Sequence, residues 1–60
     1  MSYVDATERE LRREAKKIAS LMRFRGMGTW MAEEVVRRQT MPMYVERLTP
    51  MVKEELEALG

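Results

Sequence analysis

The stretch TERELRREAKKIASLMRFRGMG, residues 7–28, decides the fold. Thr7 followed by Glu10 is a capping box. The hydroxyl accepts from the amide three residues on, and the Glu reaches back to the cap. Asp5 with Glu8 offers a second, overlapping start. Acids in a first turn also complement the positive end of the helix dipole. Gly26 and Gly28 stop the helix, because glycine tolerates the left-handed backbone that follows a last turn. These signals predict a helix over about residues 7–25. Leu11, Ala15, Ile18 and Met22 are spaced 4-3-4 and form one apolar seam, widened by Ala19 and Leu21. Arg9, Arg12, Arg13, Lys16, Lys17 and Arg23 fall on the opposite side with Ser20. Phe24 falls there too, which is unexpected for a solvated face, although near a helix end it can fold over onto the loop.

Downstream, Thr29 is placed to cap a second helix that runs from Trp30 to about Gln39, residues 29–39 with its cap. Met31, Ala32, Val35 and Val36 form its apolar arc. Glu33 with Arg37 and Glu34 with Arg38 are i,i+4 pairs in the favourable order. Trp30 lies off that arc, fit either to pack back on the glycine loop or to join an interface. Met41-Pro42 breaks the pattern. Residues 43–48 read as one or two helical turns with Tyr44 and Leu48 on one face. The alternative is a short strand, paired with Ser2-Tyr3-Val4. Thr49-Pro50 is a cap followed by proline at the first helical position, which predicts a third helix over 50–59. Met51, Val52, Leu56 and Leu59 would point inward from it.

The chain has 60 residues, no Cys and no His. Disulfides and the usual Cys/His zinc sites are excluded, and no EF-hand pattern is present. A domain this short leaves much of its surface unburied and relies on good helix packing or a partner chain. Charged residues make up 35% and hydrophobic ones 45%, a mixture that folds rather than a disordered tail. There is no apolar leader of signal-peptide type and no run long enough to span a membrane, so a cytoplasmic protein is expected. Net charge is +1, but unevenly spread. Residues 1–26 carry seven Lys/Arg and four Asp/Glu, a balance of +3; residues 27–60 carry four and six, a balance of −2. The basic half can meet an acidic partner or the acidic end of a second copy.

Catalytic chemistry finds little to use. Ser2 and Ser20 have no His to activate them, and every Glu sits at an outward or first-turn position, where a solvated carboxylate is the ordinary outcome. Gly26-Met27-Gly28 lacks the G-x-G-x-x-G spacing and the following Lys-Ser/Thr of phosphate loops. It reads as a tight connection. A helix-turn-helix reading is weakened by Glu33 and Glu34, which would face phosphates. Seven Met are many for this length, and Met adapts to irregular interfaces.

The expectation is an all-α, three-helix domain with short loops, intertwined or packed as a homodimer. It is expected to have no enzyme activity, cofactor, metal or small-molecule substrate. Its first functional reading is a regulatory or adaptor protein that contacts itself and other proteins through Met27, Trp30, Met41, Met43 and Tyr44. The alternative is a DNA- or RNA-binding regulator using Arg9, Arg12, Arg13, Lys16, Lys17 and Arg23. A third is a small structural subunit of a larger assembly. A solvated face that keeps a small protein soluble is the plain account of the basic ridge.

Overall fold

A computed structural model describes residues 7–60. The Asp5 start and the Ser2–Val4 segment lie outside the described residues. The described chain is all-α, with three helices and no strand. Helix α1 spans Glu8–Phe24, α2 spans Ala32–Gln39 and α3 spans Pro42–Leu59, with a single 3-10 turn over Thr29–Met31 ahead of α2.

The capping box opens α1 as the sequence requires. The Glu10 amide donates to Thr7 Oγ1 at 3.1 Å, and the Thr7 amide donates to Glu10 Oε1 at 2.9 Å. At the other end Gly26 sits at φ 71°, the left-handed region. Its amide donates to the Arg23 carbonyl at 3.1 Å, and that of Met27 donates to the Met22 carbonyl at 2.9 Å. This double closure is a Schellman motif, and it requires a residue that enters the left-handed region without cost.

The second helix corrects the expected cap. No side chain caps the 3-10 turn or α2, so Thr29 does not do so. Residues 29–31 instead form a tight turn closed by the Met31 amide on the Gly28 carbonyl at 3.0 Å. The turn runs directly into α2, and regular helix begins only at Ala32.

The third helix corrects the expected boundary more strongly. It starts at Pro42, not Pro50, and residues 43–48 are helical rather than extended. Pro42 occupies the first turn, where its missing N–H costs nothing. Pro50 lies inside the helix and is exposed, and so is Glu46, whose carbonyl is denied the amide four residues on but lies on a stretch that water can reach. Thr49 is no cap: its hydroxyl donates to the Val45 carbonyl at 2.7 Å, a bond made within a helix.

The core is one cluster of Leu11, Ala15, Ile18, Ala19 and Met22 from α1, Ala32 and Val36 from α2, and Leu48, Val52 and Leu56 from α3. Both other helices pack against α3, and the α1–α3 contact is the largest. Arg12 bonds Glu54 and Glu55, while Arg23 reaches the Leu59 carbonyl, so α1 and α3 advance in the same sense along their contact. Leu59, expected inside, is 48% exposed. It sits in the last turn, beyond the layer that the other helices cover.

Two substitutions test this architecture by chemical denaturation. Leu48→Ala should cost about 2–5 kcal/mol, the range for a large-to-small change in a closed core. Pro50→Ala should raise stability by about 1 kcal/mol, because it restores an interior helical hydrogen bond and outweighs the entropy that proline removes from the unfolded chain. A loss of stability on Pro50→Ala would mean that a helix starts there.

Candidate binding surfaces

The outer face of α1 emerges as the sequence placed it, but its six cations divide into two groups. Arg12 Nη1 donates to Glu54 Oε1 at 3.0 Å and to Glu55 Oε2 at 3.3 Å. The bond to Glu54 raises the Arg12 pKa from its ordinary value, against a smaller opposing effect of desolvation. Arg23 Nη1 donates to the Leu59 carbonyl at 3.1 Å. These two therefore anchor α1 to the end of α3. Among the described residues, Arg9, Arg13, Lys16 and Lys17 enter no ion pair. Arg9, Arg12, Arg13 and Lys16 line a shallow depression of about 270 Å³. Phe24 does not fold over the loop. It stands 89% exposed at the C-terminal end of this face.

A second concavity, of about 310 Å³, lies where the end of α1, the glycine loop and α2 meet. Leu21, Met27, Met31 and Val35 give it an apolar floor, and Arg25, Glu34, Arg38 and Gln39 form its rim. Arg38 Nε donates to Glu34 Oε2 at 2.9 Å and fixes one side of that rim. Glu33 with Arg37 makes the matching pair on the outer side of α2. Gly26, in the left-handed region, turns the chain at the end of α1, and Met27 just beyond it lines the groove together with Met31.

The expected interface set is distributed rather than gathered. Met27 is half-buried in the groove, and Tyr44 is half-buried against the core. Trp30, Met41 and Met43 are exposed. Trp30 precedes α2 and Met41 follows it, so the length of an eight-residue helix, about 12 Å, stands between them. Trp30 does pack back on the glycine loop: a Cβ built on Gly28 would lie 2.7 Å from its Nε1. The groove itself was not foreseen. Leu21 widens the seam of α1 and Val35 belongs to the apolar arc of α2, and only the packing of the helices sets the two along one floor.

Among the described residues no polar or charged side chain is buried, and no group of acids could hold a metal ion. Among the described residues no helix is long and apolar enough to cross a membrane. Comparison with protein-family models, curated proteins and solved structures gives no match.

Gly28→Ala tests the indole contact. The new methyl should push Trp30 off the loop and change the fluorescence of this sole Trp. Because Trp30 is exposed and free to move outward, stability should change by no more than about 0.5 kcal/mol. Unchanged fluorescence would place the indole elsewhere.

Proposed function

We propose that this chain is a non-catalytic module that works through protein–protein contact, with a second copy of itself as the first partner. The observation that carries this reading is the apolar groove between α1 and α2, with Trp30 exposed in the 3-10 turn that leads into α2. Its volume stands near the lower end of the range for binding pockets, about 300–1,000 Å³. That suits one or two large side chains of a partner and no bulky ligand. An apolar floor with a charged rim is the usual anatomy of a protein interface.

Self-association is favoured by what the fold leaves uncovered. Among the described residues ten are buried in the core, while Phe24, Trp30, Met41, Met43 and Leu59 stay exposed. A chain of this size gains proportionally more than a large one from covering such side chains with a second copy. The same copy brings opposite charge, because the N-terminal part of the chain is basic and the remainder acidic. The non-catalytic part of the reading is supported by the described acids and bases, none of which is fully buried. Catalytic groups generally need burial or a close charged partner to tune them. The close charged partners among the described residues are the surface arginine–glutamate pairs of Arg12, Arg37 and Arg38, and a guanidinium held more firmly in its charged form, as at Arg12, gains no acid–base use.

Sedimentation equilibrium over a range of concentrations tests this function. The wild-type chain should dimerise. Trp30→Ala should weaken association by about 2 kcal/mol, roughly thirtyfold in Kd. Val35→Lys, which sets a charge in the groove floor, should also weaken it while helical circular dichroism persists. A chain that stays monomeric at every concentration would exclude the second copy as partner.

A further inference from the structure

The outer face of α1 is not used by the groove and has its own composition. At about 100° per residue, Arg9, Arg12, Arg13, Lys16, Lys17, Ser20, Arg23 and Phe24 share a sector of about 140° that contains no carboxylate of α1. The acids of the helix lie outside it: Glu10 is held in the capping box, and Glu8 and Glu14 flank the apolar seam. From Arg9 to Arg23 the face extends about 21 Å. Arg9, Arg13 and Lys17 follow one another at steps of about 6 Å, a separation comparable with that of neighbouring phosphates along an extended strand.

Two further observations select the ligand. Phe24, 89% exposed, continues the row of Arg13, Lys17 and Ser20 and covers no part of the core. It is also the sole large apolar side chain on the face. A protein interface has an apolar centre depleted in Lys, and this face has the reverse composition. A cationic track that ends in an open aromatic ring is instead the chemistry of single-stranded nucleic acid, with cations on the phosphates and a ring on which a base can stack. An intact duplex keeps its bases stacked and offers none to Phe24. The face also lacks the Asn and Gln side chains that read base edges.

We propose that the outer face of α1 binds single-stranded nucleic acid without sequence preference. Arg9, Arg13, Lys16 and Lys17 meet successive phosphates, and Phe24 stacks on a base at the end of the track. Arg12, held by Glu54 and Glu55, forms the fixed side of the depression that Arg9, Arg13 and Lys16 complete. Such binding is independent of the groove, so it stands or falls separately from self-association.

Fluorescence anisotropy with a labelled oligothymidine of about 20 nucleotides at low salt tests the proposal. Binding should weaken with salt at a log–log slope near −3, as four phosphate contacts on a single strand require. Arg13→Glu with Lys17→Glu should weaken it at least tenfold while circular dichroism is unchanged. Phe24→Ala should weaken it about fivefold or more and leave the salt slope in place, and Phe24→Trp should restore it. Absence of binding by the folded wild-type chain would overturn the proposal. So would equal or tighter binding of a duplex of the same length. Full displacement of the strand by a poly-glutamate peptide whose own binding ignores Phe24→Ala would assign the face to an acidic protein instead.

Discussion

The fold depends on the contact between α1 and α3. Ala15 and Ala19 are completely buried, and so are Met22 and Val52, while Leu48 is nearly so. Small residues on one helix let the backbone of the other approach closely, and the larger side chains of α3 then fill the remaining space. No polar side chain is buried in this cluster. Its stability therefore comes from apolar burial and dispersion, with no buried polar side chain left to demand a partner. Arg12 and Arg23 close the edge of the same contact from α1, and Glu54, Glu55 and the Leu59 carbonyl receive them.

This arrangement sets which surfaces remain. α3 serves both other helices, so α1 and α2 touch each other only lightly and diverge from the glycine turn. The divergence opens the groove over Leu21, Met27, Met31 and Val35. The side of α1 away from α3 is left wholly to solvent, and it carries the unpaired cations together with Phe24. One face is an apolar groove, the other a cationic track with a shallow depression, and they differ in composition. In the proposed reading, the chain associates through the first and holds a single strand with the second.

Much of α1 was legible in the chain, because every signal for it is local. The box of Thr7 and Glu10, the seam from Leu11 to Met22 and the stop at Gly26 act within a few residues of one another. The ion pairs of α2 were legible for the same reason. The reading failed at Thr49-Pro50, where a strong local start signal opposed a longer pattern. Tyr44, Leu48, Val52, Leu56 and Leu59 keep helical spacing on both sides of Pro50, and that unbroken stripe was the available signal for a single helix. The proline is tolerated because it falls on the exposed side, which local propensity does not reveal.

The sequence by itself determined the helical class, the polarity of α1 and the set of residues that make the basic face. Periodicity and capping act over one or two turns, and they need no knowledge of neighbours. Tertiary structure alone decided that α3 is continuous and central, that Arg12 and Arg23 leave the free ridge to hold α3, that Phe24 stays open, and that a groove forms beside the glycine turn. Each of these depends on the direction in which one helix crosses another, and that direction comes from the packing of all three helices rather than from any one of them.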